Sequence, residues 1–255
     1  MKMRMTLLLT SMLVVFCLVH EAYPFDHSSF DLILKEYVDD RGLVDYNGIA
    51  RDRRFSEYMK SLESAKVDEL SPDGRLAFWI NAYNAVTIDK VIKKKPKKSV
   101  RETLIPSLWT STKFFSTRDH IVAGERVSQD DIEHEILRKK FKDPRIHFAI
   151  VCASRGCPPL PRSAYTEENV QARLEEETRR YLNSERGIRI DRAENTVYVS
   201  KIFDWFREDF VEESGSVIDF IHPYPEEEIA AFLDQKPKVE FLDYDWALNA
   251  KEPLK

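Results

Sequence analysis

Glycine is scarce in this chain, seven among 255 residues, and none of the seven falls into a spacing that would wrap a phosphate. A Gly-rich phosphate loop, a dinucleotide fingerprint and a serine nucleophile elbow are all missing, which argues against nucleotide chemistry and serine hydrolysis. Positive charge is also in deficit. With 39 Lys and Arg against 44 Asp and Glu the net charge is −5, so no global basic field invites nucleic acid. The Lys93 to Lys98 run is a local exception and reads as a solvated helix end, where Lys is favoured by the macrodipole. No repeat and no linker-like stretch interrupts the chain, and a 43% hydrophobic content suffices for one full core.

Long apolar runs are missing too, with one exception at the start. Lys2 and Arg4 precede an apolar run from Leu7 to Val19, broken only by Thr10 and Ser11, and Glu21-Ala22-Tyr23-Pro24 follows. This pattern predicts a secretory signal peptide over residues 1–22. The run is shorter than the roughly 18 to 20 residues that a membrane span needs. The expected product is a single exported domain, residues 23–255, periplasmic or extracellular and without a transmembrane span. Cysteine is then nearly absent: Cys17 leaves with the signal, and Cys152 and Cys157 remain.

Those two cysteines lie in the most informative stretch of the chain. Ile146, Phe148, Ala149, Ile150 and Val151 form a β-branched and aromatic run that predicts a strand covered on both faces. Ser154, Gly156 and Pro158-Pro159 end it abruptly. A loop at the end of a rigid element is where exposed but fixed groups belong, and His147, Cys152, Ser154, Arg155 and Cys157 are all candidates. Upstream, Ser71-Pro72 opens a buried helix with Pro at its first position, carrying Leu76, Trp79, Ile80, Tyr83 and Val86 at helical spacing. Asn81 and Asn84 share one side of it.

Together, Phe78-Trp79-Ile80-Asn81-Ala82-Tyr83-Asn84-Ala85 and the 145 to 160 segment resemble the family called domain of unknown function 547. Ile132 to Arg138, Ser200 to Phe206 with Asp209-Phe210, and Tyr244 to Asn249 extend the resemblance, in the same order, over roughly residues 30 to 250. It implies a fold unit and a set of positions but no chemistry.

Periodicity adds helices over 28–38, 51–65, 129–141 and 166–183, a hairpin pairing 188–190 with 197–199, a helix near 226–234 and a strand near 238–242. The expected architecture is α+β: a buried central helix packed on a small mixed or antiparallel sheet, similar to papain and transglutaminase folds by analogy only. In the 129–141 helix, a 100° turn per residue puts Glu133 in the middle of the apolar arc of Ile132, Ile136, Leu137 and Phe141. A carboxylate placed there gains a donor or shifts its pKa upward. Glu133 thus either locks two elements together or serves, with His134 and Arg138 beside it, in a site.

Two function classes follow. A thiolate beside an imidazole held by an amide or acid is a hydrolase or acyl-transferase apparatus; Cys157, His134, Glu133 and Asn81 supply those parts, with Asn84, Arg138, His147, Cys152, Ser154 and Arg155 around them. The substrate would be a peptide, an amide or cell-envelope material. Alternatively, Cys152 and Cys157 form a disulfide in an exported chain, and the protein is a non-catalytic envelope binding or assembly module. Trp79, Tyr83, Trp205, Phe206, Tyr244 and Trp246 are then core or the wall of a peptide or glycan groove. No cofactor is called for, and no spacing among Cys152, Cys157, His134 and His147 matches a metal framework.

Overall fold

The computed structural model describes residues 24–101 and 113–254; the expected signal peptide lies outside the described residues. Helices α1 (Ser28–Tyr37), α2 (Tyr46–Ile49), α3 (Arg53–Glu63) and α4 (Pro72–Lys94) come first. A short helix α5 (Lys113–Ser116), a hairpin of β1 (His120–Val122) and β2 (Glu125–Val127), and a π-helix (Asp131–Phe141) follow. Beyond a 3-10 turn (Pro144–Phe148) come α6 (Val170–Leu182), β3 (Ile188–Asp191) and β4 (Thr196–Val199). Helices α7 (Ile202–Trp205), α8 (Arg207–Ser214), α9 (Val217–Ile221) and α10 (Glu227–Leu233) lead to β5 (Lys238–Phe241). The architecture is α+β, as expected.

The longest helix, α4, is built as its sequence dictates. Ser71 accepts the Gly74 N–H at 3.0 Å, Pro72 occupies the first turn, and Lys93 and Lys94 sit in the last turn, each favourable at that end. The apolar stripe buries Phe78, Ile80, Ala82, Ala85, Val86 and Val91 completely. Instead of lying on the three-stranded sheet, α4 packs into a first core made of helices, the β1 and β2 hairpin and irregular segments. The mixed sheet, with β3 antiparallel to β4 and β4 parallel to β5, packs with Phe203, Phe210 and Phe220 of α7 to α9 in a second core. The 3-10 turn joins the two, since Ile146 belongs to the first core and Phe148 to the second.

Two expectations are corrected here, each for a physical reason. Residues 146–151 are as buried as a central strand would be, but among the described residues no strand pairs with them: a 3-10 turn runs into an irregular stretch. Asn84 takes the place of the neighbouring strand. Its Nδ2 donates to the Ala149 carbonyl at 2.9 Å and its Oδ1 accepts the Val151 N–H at 2.9 Å, which satisfies the backbone as a ladder would. Asn81 repeats the device on Tyr165, donating to its carbonyl at 2.7 Å and accepting its N–H at 3.0 Å. The segment after Asp130 is a π-helix, not an α-helix. Its i→i+5 turns advance less than 100° per residue, so Ile132 and Leu137, five apart, are its two buried residues while Ile136 and Phe141 are only partly covered. A capping box opens the π-helix: the Ser128 N–H reaches Asp131 Oδ2 at 2.8 Å, and the Asp131 N–H reaches Ser128 Oγ at 3.1 Å.

The asparagine pairs generate a prediction. Removing one amide leaves a buried carbonyl and a buried N–H unpaired, each costing about 1 to 3 kcal/mol. Asn84→Ala is expected to lower unfolding free energy by about 2 to 4 kcal/mol, measured by urea denaturation. A shift below about 0.5 kcal/mol, the size of a neutral surface change, would mean the segment is held some other way.

Candidate functional site

The 152–157 loop is fastened on three sides. Along one edge it zips against the C-terminal segment: Arg155 N–H donates to Ala247 O at 2.7 Å, Gly156 N–H to Asp245 O at 2.8 Å, and Asn249 N–H to Ala153 O at 3.0 Å. Glycine is required at 156, because a Cβ there would sit 2.9 Å from Asp245 N and 3.0 Å from its carbonyl oxygen. From below, the Tyr181 hydroxyl donates to Gly156 O at 3.0 Å, and from outside Arg186 donates to Arg155 O at 2.7 Å. Ala153 is held at φ 62°, a left-handed conformation that an alanine adopts only under such constraint.

Within this frame Cys152 and Cys157 pair as a disulfide, with Cα atoms 6.4 Å apart. Polar hydrogens converge on the sulfurs. Cys157 Sγ accepts from Cys152 N–H at 3.0 Å and from the Tyr244 hydroxyl at 3.1 Å. Ser154 Oγ lies 3.0 Å from Cys152 Sγ, 3.5 Å from Cys157 Sγ and 3.1 Å from the Tyr244 oxygen. Cys157 is 4% exposed and Ser154 2%, whereas Cys152 is partly exposed. Arg155 is exposed, and no described hydrogen bond runs from its guanidinium to either sulfur.

The two candidate histidines are engaged elsewhere. His147 is buried, donates Nε2–H to Asp209 Oδ2 at 2.7 Å and stacks on Phe206 with centroids 4.1 Å apart. Arg138 grips the same carboxylate through two nitrogens, at 2.6 and 2.7 Å. Burial opposes ionisation of Asp209, but Arg138 and His147 outweigh it and hold the carboxyl well below the usual range. His134 accepts from Arg138 at 3.1 Å through Nδ1 and lines a cleft of about 660 Å³ with Arg138 and Asp209 that neither cysteine borders. Burial, then the Arg138 charge, pulls its pKa down. Among the described residues no histidine reaches a sulfur, so the expected Cys157 and His134 couple is not assembled. The Asn81 and Asn84 amides are likewise committed to backbone.

Glu133 lies between these groups. The Tyr83 hydroxyl donates to its Oε2 at 3.2 Å; burial, reinforced by Asp130 and Asp209 and opposed by Tyr83 and Arg138, pushes its pKa up to about 7. Its charge in turn raises the Tyr83 and Tyr244 hydroxyls, after their own burial. Asp209 and Tyr244 complete the site from outside the group singled out as site residues. The signals for them were that both lie in stretches that carry the resemblance, and that Tyr244 was among the candidate groove aromatics.

Beside the loop, three aromatic rings meet. Trp205 and Tyr244 have centroids 4.8 Å apart, Tyr244 and Trp246 4.6 Å, and Trp205 and Trp246 5.5 Å, and Arg101 lies 4.3 Å over Trp246. Trp205 is 43% exposed. Trp79, Tyr83 and Phe206 are not part of this cluster. Among the described residues no group of three His, Cys, Asp or Glu is arranged to hold a metal ion, and no helix is long and apolar enough to cross a membrane.

Residues 67–182 match the family model described as protein of unknown function, DUF547. The match takes in α4, the π-helix, the 152–157 loop and α6; the Trp205, Tyr244 and Trp246 cluster falls beyond it. No curated protein and no solved structure matches the chain, so the papain and transglutaminase analogy gains no support from them.

Glu133 carries a pH signature. Its carboxyl titrates at 4.5 in the ordinary state and about 7 in the fold, so the folded chain binds this proton more tightly. The stability this supplies is complete below pH ~4.5 and is lost as pH rises to ~7. Wild type is therefore expected to lose stability relative to Glu133→Gln across that window, with urea midpoints at pH 4.5 and 7.5 as the measurement. Parallel midpoints for the two proteins would show that Glu133 titrates normally.

Proposed function

We propose that the chain is an exported, non-catalytic binding module of the cell envelope that presents Trp205, Tyr244 and Trp246 to a glycan strand. The observation that carries this reading is the meeting of three rings, one of them widely exposed, beside a loop tied by backbone pairing and a disulfide. Aromatic faces offer apolar area to the C–H faces of sugar rings, while the exposed Asp204 and Asp245, next in sequence to the rings, and Arg101 over Trp246 offer hydrogen-bond partners, the usual composition of a small polar-edged binding surface. Such a surface gains affinity when it is rigid before the ligand arrives, and a cross-linked loop beneath it supplies that.

The hydrolase reading has less support. It needs a thiolate and an imidazole in contact, whereas Cys157 is paired with Cys152, and His134 and His147 are held by Arg138 and Asp209. Export and the disulfide support one another, since disulfides persist in oxidising compartments and the first 22 residues read as a secretory signal. Mass spectrometry of secreted material is expected to find a mature chain beginning near Tyr23; an intact chain recovered only from the cytoplasm would remove that support.

Binding is tested with insoluble envelope polymer in pull-down and with a soluble chito-oligosaccharide in tryptophan-fluorescence titration. Saturable binding is expected, weakened about tenfold by Trp205→Ala, roughly the 1.4 kcal/mol worth of one stacked aromatic contact, with the unfolding midpoint unchanged. Absence of binding by the native wild type to both probes would overturn the module. So would loss of an amide-hydrolysing activity on alkylation of Cys157 in non-reduced protein, in favour of the hydrolase.

A further inference from the structure

We infer that the Cys152–Cys157 disulfide is a thiol-exchange site, attacked at Cys152 by a dithiol reductant, and not only a staple. Three features of the loop converge on this. First, the two sulfurs differ in access: Cys152 is partly exposed and Cys157 is 4% exposed, so an incoming thiolate meets Cys152 first. Second, the donors favour the other sulfur. Cys157 Sγ faces the Cys152 N–H at 3.0 Å and the Tyr244 hydroxyl at 3.1 Å, whereas Cys152 Sγ lies farther from that hydroxyl, at 3.4 Å, and has only the Ser154 hydroxyl closer, at 3.0 Å; Ser154 Oγ also lies 3.1 Å from the Tyr244 oxygen, where its one proton can polarise the tyrosine instead. Neutral disulfide sulfur is a weak acceptor, and two donors on it gain little. The same donors gain much when the sulfur becomes a thiolate, because hydrogen bonds to the charged form favour that form. Third, the donors are held in place whether or not the sulfurs are bonded, since Cys152 N–H belongs to the irregular stretch fixed by Asn84 and Tyr244 to the segment zipped against the loop.

The exchange proceeds in two balanced steps. One thiol of the dithiol loses its proton to solvent, and its sulfur attacks Cys152 Sγ. A mixed disulfide to Cys152 forms, the Cys152–Cys157 bond breaks, and the electron pair leaves on Cys157 Sγ as a thiolate held by Cys152 N–H and Tyr244 OH. A thiol with a lowered pKa is the better leaving group, which directs attack to Cys152 a second time, now on electronic grounds. The second thiol of the dithiol then attacks its own mixed-disulfide sulfur, expels the Cys152 thiolate and hands it the proton. The dithiol is oxidised to a cyclic disulfide, and the cysteine pair is reduced. This chemistry does not depend on the glycan-binding reading, and its test uses no polymer.

The experiment treats the full native protein with dithiothreitol in a graded redox buffer, without denaturant, and counts thiols by mass. Reduction of the folded protein is expected, and in a glutathione pulse quenched with iodoacetamide the glutathione should be found on Cys152 and the alkyl group on Cys157. Tyr244→Phe keeps the ring and removes only the hydroxyl, and should lower the equilibrium extent of reduction about tenfold, the worth of one hydrogen bond to a charged group. In reduced wild type the pH of half-maximal Cys157 alkylation should lie below the ordinary thiol value of about 8.5 and rise in the variant. A pair that resists dithiothreitol until the protein unfolds, glutathione found on Cys157, or a half-labelling pH at or above about 8.5 would each overturn the inference; the last reading is made on wild type, so it stands even if Tyr244→Phe fails to fold.

Discussion

Two side-chain amides on one helix face carry the central constraint of this structure. Asn81 and Asn84 each offer a buried backbone segment one donor and one acceptor at 2.7 to 3.0 Å, the same pairing a neighbouring strand would provide. Without them, the segments around 149–151 and 165 would bury unpaired carbonyls and N–H groups against α4, which folded proteins avoid almost completely. With them, an irregular segment can run through the core at full burial, and the 152–157 loop emerges from it at a determined place and angle. The disulfide, the three donors around its sulfurs and the aromatic cluster all inherit their positions from that anchorage.

A second set of interactions ties the two cores together. Asp209 on α8 receives Arg138 from the π-helix and His147 from the 3-10 turn, with Phe206 stacked over the imidazole. An ion pair this well satisfied is strongly missed when one partner is removed, which accounts for a structural duty for residues that also looked catalytic. Glu133 has no comparable cation: it holds one tyrosine hydroxyl and keeps its proton up to about pH 7. The contrast between two partly covered carboxylates, one driven to ionise and one kept neutral, follows from what bonds to each: Asp209 takes the Arg138 guanidinium and an imidazole, whereas Glu133 takes a phenol and feels Arg138 only through its charge.

Much of the local structure was legible because local rules governed it. Helix α4 announced its start with Ser71-Pro72 and its burial with an apolar stripe, and the β3 and β4 hairpin was legible from apolar alternation on either side of turn residues. The β1 and β2 hairpin was not expected: three residues a side around Ala123-Gly124 is too short for periodicity to register. The apolar run 146–151 looked like a strand because burial on all sides leaves the same composition whatever supplies the hydrogen bonds. Placing Glu133 at the centre of its arc assumed an α-helical turn, and the wider π turn narrowed the buried stripe to Ile132 and Leu137.

What the sequence determined alone was the α+β composition, the match of residues 67–182 to a family model, the buried asparagine face and the cysteine-bearing loop, since each rests on residue types or spacings within a few turns of one another. What only the tertiary structure decided was the company those residues keep. Cys157 meets Tyr244 across 87 positions, His147 meets Asp209 across 62 and Asn81 meets Tyr165 across 84. Contacts of that kind arise from how helices, turns and a small sheet close around a shared core, and a linear pattern carries no measure of that distance. The same residues that could have formed a cysteine and histidine couple were therefore divided, by packing, between a disulfide loop and an ion-paired seam.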